Sequence, residues 1–317
     1  MAYFYQVYGL KLQSDLELPE LMPVSEQAVD VTITLDAVPR TLPSSRAFGS
    51  WADYDDRRCL LRIENVGCFL VEDGCSITVA PFAPTETKHG AVAPMSDVRL
   101  YLLGSALAAL LHQRGLIPLH VSAVLAENGV WAFTGPSGAG KSTLAGWLSQ
   151  CVGLPLISDD VSVVDARKGL VRLLPGPRKL KLWRDAVGFL DLDEDCLVQD
   201  LSNTPKFQLY LPDDVPGTEF ELKGLVVLER AEPGEPARII PVMGIDRFRC
   251  FCQAVYRHYM ATWFRSRADY VRDVFQLAET VPVYRLRRPW SLEQLDQKVN
   301  PLWELLLHGE TEEDTAK

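Results

Sequence analysis

Apolar and polar residues alternate along much of the first 93 positions of the chain. In the segment VDVTITL, apolar residues occupy every second position from Val29 to Leu35, which is the period of a strand with one buried face. Turn residues separate the strand-like segments, and a loop is predicted over Pro81–Pro94. The pattern predicts a β-rich N-terminal region over residues 1–93. Further strand-like segments are YFYQVYGLKL, the surroundings of Trp51, Leu60–Ile63, Cys68–Val71 and Ser76–Ala80.

The periodicity changes after this region, where helical and strand-like segments alternate. A helix is predicted over about Ser96–Gln113, with Gly115 suited to its C-terminal cap. Asn128-Gly129 is a hairpin signal between the strands Val121–Ala126 and Val130–Thr134. These patterns predict an α/β core over residues 94–309, followed by a polar tail, 310–317, that we expect to be disordered. Further strands are predicted at 154–158, 161–164, 170–174, 207–211, 224–229 and 237–241, and helices at about 141–150, 246–259, 269–279 and 292–307.

The strand that ends at Thr134 continues into the segment GPSGAGKST, which fits the pattern G-x-x-x-x-G-K-[ST]. Its glycines let the backbone curl so that N–H groups point at phosphate oxygens, and the following helix adds the positive end of its dipole. Lys141 can reach the β- and γ-phosphates, and the Ser142 hydroxyl can bind Mg²⁺. The motif predicts a nucleotide-phosphate site formed by Gly135, Pro136, Ser137, Gly138, Ala139, Gly140, Lys141, Ser142 and Thr143.

Two adjacent carboxylates, Asp159 and Asp160, end the next predicted strand, seventeen and eighteen residues after Ser142. Adjacent side chains at a strand end point in different directions, so one can bind Mg²⁺ while the other faces an attacking hydroxyl. Transfer of a phosphoryl group to an alcohol needs both a cation and a base. The alternative is a simple polar turn between two strands, but the preceding glycine motif favours the functional interpretation.

Other polar residues near these motifs are candidates for supporting roles. His120 begins the hairpin strand beside the motif, where an imidazole could tune the titration of an aspartate. Arg178, Lys179 and Lys181 form a basic cluster that could hold a carboxylate or a phosphate, although a solvated loop would explain the same pattern.

The composition excludes several classes of protein. A formal net charge of −10 over 317 residues argues against a protein that coats nucleic acid. The longest nearly apolar run, Leu100–Leu111, is too short to span a bilayer, and the first residues lack the features of a signal peptide. Seven scattered cysteines without a C-x-x-C pair argue against a disulfide framework or a zinc site. We therefore expect a cytoplasmic protein with no nucleic-acid or membrane partner, and this interpretation allows a homo-oligomer.

The segment Leu119–Val164 resembles the core of the HPr kinase/phosphorylase family, which is distantly related by fold to phosphoenolpyruvate carboxykinases. The resemblance depends on a histidine before the glycine motif, a hairpin leading into the motif and a DD pair on the next strand. A looser resemblance, through YQVYGLKLQSDLELPEL, LPGPRKLKLW, TPKFQLYL, LKGLVVLER and VPVYRLRRPWSLEQLD, is to the HPr-kinase-like proteins encoded beside lasso-peptide biosynthesis genes. Those kinases phosphorylate a serine, typically at the C-terminus of a precursor peptide.

This resemblance implies an α/β P-loop kinase core with ATP and Mg²⁺ as cofactors. It assigns Asp159 as the general base, with Lys141 and His120 beside it, and Ser142 and Asp160 as metal ligands. Lys206 matches a lysine of the family and is a candidate substrate contact, as are Arg178 and Lys179. The implied activity is ATP-dependent phosphorylation of a serine on a peptide or small protein, such as a lasso-peptide precursor.

Other activities are compatible with the same glycine motif. An HPr-type carrier-protein kinase/phosphorylase is one alternative, but the Glu-containing signature and the arginine-rich loop of bacterial HPr kinases are not found at the expected spacing. A non-catalytic regulatory nucleotide-binding module is another. A third alternative is a carboxykinase-like enzyme or a small-molecule kinase.

Overall fold

The computed structural model describes residues 2–83, 85, 92–166, 170–199, 205–211, 217–290, 292 and 295–308, without the side chains of residues 194, 298, 304 and 308. The chain has a mixed α/β architecture and divides into two compact units. The first unit comprises Met1–Pro118 and Tyr256–Val271, and the second comprises Leu119–Val255 and Arg272–Lys317. The predicted disordered tail and the middle of the predicted loop Pro81–Pro94 lie outside the described residues.

The secondary-structure elements are numbered in chain order. The strands are β1 Tyr3–Val7, β2 Leu10–Ser14, β3 Met22–Pro23, β4 Val31–Leu35, β5 Arg46–Phe48, β6 Ala52–Tyr54, β7 Arg58–Ile63, β8 Gly67–Glu72, β9 Ser76–Pro81, β10 Ile117–Leu119, β11 Ser122–Ala126, β12 Gly129–Thr134, β13 Leu156–Ser158, β14 Ser162–Asp165, β15 Arg172–Leu174, β16 Lys179–Trp183, β17 Leu197–Gln199, β18 Lys206–Tyr210, β19 Phe220–Arg230, β20 Arg238–Val242 and β21 Val283–Arg288. The helices are α1 Met95–Tyr101, α2 Leu107–Gln113, α3 Lys141–Gln150, α4 Arg184–Phe189, α5 Ile245–Ala254, α6 His258–Phe264, α7 Arg267–Thr280, α8 Leu295–Lys298 and α9 Asn300–His308, with a π-helical segment at Leu102–Ala106 and a 3₁₀ turn at Glu194–Cys196.

The first unit contains a nine-stranded sheet in the order β3-β1-β2-β4-β9-β8-β7-β6-β5. Strands β1 and β2 form a hairpin, and β4 pairs in parallel with both β2 and β9. Val31 and Ile33 are buried in β4 while the threonines between and after them are more exposed, which confirms the predicted period for these residues. Leu35, which the same pattern placed on the buried face, is exposed at the end of the strand. The sheet therefore has the buried face that its alternating sequence predicted.

The boundary predicted at residue 93 differs from the division in the structure. The helical stretch from Met95 to Gln113 belongs to the first unit, because its buried residues Leu107–Leu111 pack against β8, β9 and α6. The predicted helix is confirmed, with the π-helical segment inside it. Gly115 follows it with φ of +72°, as expected for a C-terminal cap.

A mixed sheet in the order β13-β11-β12-β19-β21-β20 forms the centre of the second unit. The hairpin β11–β12 closes with Ala126 opposite Gly129, which confirms the predicted turn. Strands β12, β19 and β21 run parallel to one another, so their carboxyl ends lie at one edge of the sheet. Helix α3 packs on this sheet through Leu144 and Leu148, within a core that includes Trp131 and Phe133. The parallel strand ends are where ligands bind in α/β sheets of this kind.

Several predicted elements have different limits or were missed. The single helix predicted at about 246–259 is two helices, α5 and α6, because Val255 is extended and pairs with Leu119, and Arg257 is left-handed with φ of 48°. The helix predicted at 292–307 is interrupted between α8 and α9. Strands β16 and β21 were not predicted, and the cations of β16 were interpreted as part of a basic cluster.

Candidate active site

The glycine motif forms the turn between β12 and α3. Gly135, Gly138 and Gly140 all have positive φ, at +151°, +82° and +81°. A Cβ atom on Gly135 would lie 2.9 Å from the Leu228 carbonyl oxygen, so this position also lacks room for a side chain. Helix α3 begins at Lys141, directly after the last glycine. The sequence folds here into the strand–turn–helix arrangement that the motif predicted.

The Lys141 side chain folds back over the turn. Its ammonium donates to the carbonyl oxygens of Gly135 at 3.0 Å and Pro136 at 3.4 Å, and the residue is 8% exposed. Burial lowers the pKa of Lys141, while the charges of Asp159 and Asp160 oppose this effect. The turn therefore contains a buried cation beside two carboxylates.

Asp159 is buried at the end of β13. Its Oδ1 atom accepts the Ser122 hydroxyl at 2.5 Å, and its Oδ2 atom accepts the Lys181 backbone N–H at 2.8 Å. Burial raises the pKa of Asp159, and the hydrogen bonds from Lys181, Ser122 and Ser142 only partly oppose it. The carboxylate is thus a stronger base than an ordinary aspartate.

Asp160 has a different environment although it is the next residue. Its backbone is left-handed, with φ of 74°, and its Oδ2 atom accepts the Lys181 ammonium at 2.9 Å. The His120 Nε2 atom lies 3.6 Å from Asp160 Oδ1. Burial alone would raise the pKa of Asp160, but the adjacent Lys181 holds it below its ordinary value. The pKa of His120 is lowered by burial and then by the charge of Lys141. The two carboxylates are therefore shifted in opposite directions.

A cavity of about 330 Å³ opens over the glycine turn. Of the predicted site residues, the lining includes His120, Ser137–Thr143, Asp160 and Lys206; it does not include Gly135, Pro136, Asp159, Arg178 or Lys179. The other lining residues are Lys181, Trp183, Asp185, Arg288, Trp290 and Leu292. The structure therefore brings most of the predicted residues to one cavity and places Asp159 behind its wall, bonded to Ser122.

The predicted basic cluster does not form a single surface. Arg178 Nε donates to the Leu156 carbonyl oxygen at 3.0 Å, and the buried Lys179 donates to Gln208 Oε1 at 3.1 Å. Lys181, from the same strand β16, pairs with Asp160 as described above. Lys206 begins β18, and its ammonium lies 4.7 Å from the centre of the Trp183 ring. Of the four residues Arg178, Lys179, Lys181 and Lys206, the two that line the cavity are Lys181 and Lys206.

Sequence reasoning missed three residues that shape this site. Ser122 was detectable as a polar residue within the apolar strand β11. Trp290 lines the cavity, and the Arg230 guanidinium lies 5.9 Å from its ring centre. Arg288 is buried beside the turn. The sequence signal for it is weak: Arg287 and Arg288 are consecutive, and consecutive residues of a strand such as β21 face opposite sides of the sheet.

Comparisons with known proteins give little information on the identity of the chain. No protein-family model matches it, and no curated protein matches it. Among solved structures, the chain is similar to the HPr(Ser) kinase/phosphatase from Coxiella burnetii, with 12% sequence identity and a TM-score of 0.29 over 59% of this chain and 89% of that chain. At this identity and TM-score, the function has to be inferred from the residues of the cavity. Within the described residues, no helix is long and apolar enough to cross a membrane.

Proposed function

We propose that this protein is an ATP-dependent kinase that transfers the γ-phosphoryl group to a serine hydroxyl. This proposal depends on one observation. A glycine turn, a buried lysine and two aspartates with opposite pKa shifts lie together at the carboxyl end of β12. Polyphosphate binding needs the turn and the cation, and phosphoryl transfer to an alcohol needs a metal ligand and a base. A simple polar turn would need neither the burial of Asp159 nor the opposed shifts.

Magnesium fits the oxygen atoms available in this cavity. The Ser142 hydroxyl and the Asp160 carboxylate both line it, and oxygen ligands of this kind are those that Mg²⁺ prefers. No cluster of three or more His, Cys, Asp or Glu side chains suited to a metal is found in the described part of the chain. Phosphate oxygens and water would therefore complete the coordination, as is usual for Mg²⁺ bound with a nucleotide. When bound, the ion would neutralise charge on the phosphates.

The residues of the chain then have separate tasks. Lys141 and the N–H groups of the turn bind the β- and γ-phosphates and stabilise the charge of the transferring group. Asp159, whose raised pKa suits a proton acceptor, takes the hydroxyl proton as the serine oxygen bonds to the γ-phosphorus. The bond from the γ-phosphorus to the bridging oxygen breaks, and ADP leaves with that oxygen. The competing assignment gives the proton to Asp160, which lines the cavity, and paired variants of the two aspartates separate these assignments.

The acceptor that we propose is a short peptide ending in serine, such as a lasso-peptide precursor. The cavity lining includes Lys181, Lys206 and Arg288 in addition to Lys141, so positive charge is in excess there. A terminal serine presents a carboxylate close to its hydroxyl, and a fixed cation would bind the first and align the second. An internal serine on a folded HPr domain lacks this nearby carboxylate.

Mass spectrometry tests this proposal with three acceptors and MgATP. We expect one phosphate on a peptide ending in serine, about tenfold less on the same peptide with an amidated C-terminus, and less still on intact HPr. Efficient labelling of HPr with an inert peptide would instead assign the protein to the HPr-type kinases. Nucleotide binding without transfer to any acceptor would favour the regulatory module.

A further inference from the structure

The buried end of β21 contains a charge within an apolar face. Tyr284 and Leu286 occupy this face and belong to the core around α3, and Arg288, two positions on, continues the same row at 3% exposure. Arg288 is paired in register with Arg230, the last residue of β19. The guanidinium therefore lies at the edge of the sheet where β12 enters the glycine turn.

The donors of Arg288 are poorly used. Nη2 lies 3.4 Å from the Ala139 carbonyl oxygen and Nη1 lies 3.3 Å from the Pro289 carbonyl oxygen, both long for such bonds. The buried Nε atom has no hydrogen-bond partner among the described residues. Burial lowers the pKa of Arg288 to about 10, and no charge among the described residues offsets this. A buried cation with weak partners is costly to the free protein, which indicates a ligand that is itself an anion.

The neighbouring arginines of the same strand show the contrast. Arg285 and Arg287 lie on the other face of β21, and their guanidinium groups pair with Glu229 at 3.1 Å and 2.9 Å. Their role is explained by that carboxylate. Arg288 instead faces the glycine turn, where a Cβ atom on Gly140 would come within 2.9 Å of its Nη2 atom. The glycine therefore leaves room for the guanidinium as well as for the backbone turn.

We propose that Arg288 binds the phosphates of the nucleotide, as a second cation beside Lys141. This inference rests on the proposed function and adds a phosphate ligand that the glycine motif does not contain. A guanidinium presents two parallel N–H groups to phosphate oxygens, and a bound phosphate would satisfy the donors that the described residues leave with long bonds or none.

Calorimetry with two variants tests the inference. Arg288→Met removes the charge and keeps an unbranched apolar side chain, and Arg287→Met is the matched control on the opposite face. We expect Arg288→Met to bind MgATP and inorganic tripolyphosphate about ten- to a hundredfold more weakly, and the control to bind both like the wild type. The thermal midpoint of Arg288→Met without nucleotide should not fall, because a buried, poorly paired charge is removed. If this variant does not fold, Arg288→Lys keeps the charge but loses the fork, and it should also weaken binding.

Two results would overturn the inference. One is a folded Arg288→Met variant with wild-type affinity for both ligands, and the other is an equal loss in Arg287→Met. Lys141→Ala distinguishes a failure of the Arg288 inference from a failure of the proposed function. If it weakens ATP binding while Arg288→Met does not, the inference alone fails; if the wild type binds neither ATP nor tripolyphosphate, the proposed function fails with it.

Discussion

Each unit of the chain contains a cavity lined by charged side chains, and the two cavities are built differently. The larger one, of about 510 Å³ in the first unit, is lined by four carboxylates and two arginines: Asp55, Asp56, Glu72, Asp73, Arg57 and Arg58. Its arginines form short salt bridges, Arg58 with Asp55 at 2.7 Å and Arg57 with Asp73 at 2.5 Å. The cavity in the second unit is lined by four cations, Lys141, Lys181, Lys206 and Arg288, and two carboxylates, Asp160 and Asp185.

Volume is therefore a poor guide to the functional site of this protein. In the first cavity, both arginines are paired with carboxylates of the lining. Burial alone would raise the pKa of Asp55, but hydrogen bonds from Arg58 and Arg57 lower it. At the second cavity, Asp159 lies behind the wall with a raised pKa, and Arg288 has a buried donor without a partner among the described residues. Such arrangements cost stability unless a ligand completes them. We therefore place the function in the smaller cavity.

Lys141→Ala is expected to have the largest effect on activity. Loss of the ammonium should reduce kcat/KM for phosphoryl transfer by roughly 10³–10⁵-fold, the range for a cation that stabilises the transferring group. ATP affinity should fall as well. The matched control is Arg57→Ala in the first cavity, which should leave steady-state transfer unchanged. A loss in Arg57→Ala equal to that in Lys141→Ala would mean that the two cavities do not differ in the way described.

The next largest effect distinguishes the two aspartates. Asp159→Asn should reduce transfer by roughly 10²–10⁴-fold with nucleotide still bound, because the proton acceptor is lost. Asp160→Asn should instead raise the Mg²⁺ concentration needed for half-maximal activity. Single-turnover kinetics over a Mg²⁺ series measures both. The reverse pattern would assign the base to Asp160, and equal mild losses would favour a simple polar turn.

The same substitution should have opposite effects on stability in the two units. Asp55→Asn is expected to cost up to about 1 kcal/mol in the free energy of unfolding at pH 7, because it loses a partly exposed, hydrogen-bonded charge pair with Arg58. Asp159→Asn should leave the free energy of unfolding unchanged or increase it, since its raised pKa means that folding disfavours the ionised form. Chemical denaturation of the two variants provides the measurement. A large loss of stability in Asp159→Asn would contradict the account.

The smallest expected effect is on pH dependence. The folded pKa of Asp55 is below its ordinary value of 3.8, so its contribution to stability is present above that value and is lost as the pH falls through the folded pKa. The folded pKa of Asp159 is above 3.8, so its contribution is full below that value and is lost as the pH rises through the folded pKa. Activity requires ionised Asp159, so on acidification it should be lost around the raised pKa of that residue. The stability that the Asp55–Arg58 pair contributes should be lost only at a lower pH. Parallel pH profiles of transfer and of the thermal midpoint would show this separation, and coincident profiles would argue against it.

The sequence predicted local features of this site well. Helix α3 has the predicted bounds, and the hairpin β11–β12 closes at the predicted turn, because glycine and Asn-Gly signals act over a few residues. Contacts between distant segments were not predictable in the same way. Lys181 bonds to both aspartates from β16, and nothing local indicates that this strand pairs beside them. The burial of Arg288 was not predictable from the sequence either, because it also depends on contacts with distant segments. The neighbouring Arg285 and Arg287 have the same residue type but are only partly buried.

The most direct test of the central claim is transfer of phosphate from MgATP to a peptide ending in serine, followed by mass spectrometry with wild type, Lys141→Ala and Arg57→Ala side by side. The account predicts a serine carrying one phosphate with wild type and with Arg57→Ala, and almost none with Lys141→Ala. Equal phosphorylation by all three chains, or loss in Arg57→Ala with retention in Lys141→Ala, would contradict the placement of the function in the cavity over the glycine turn.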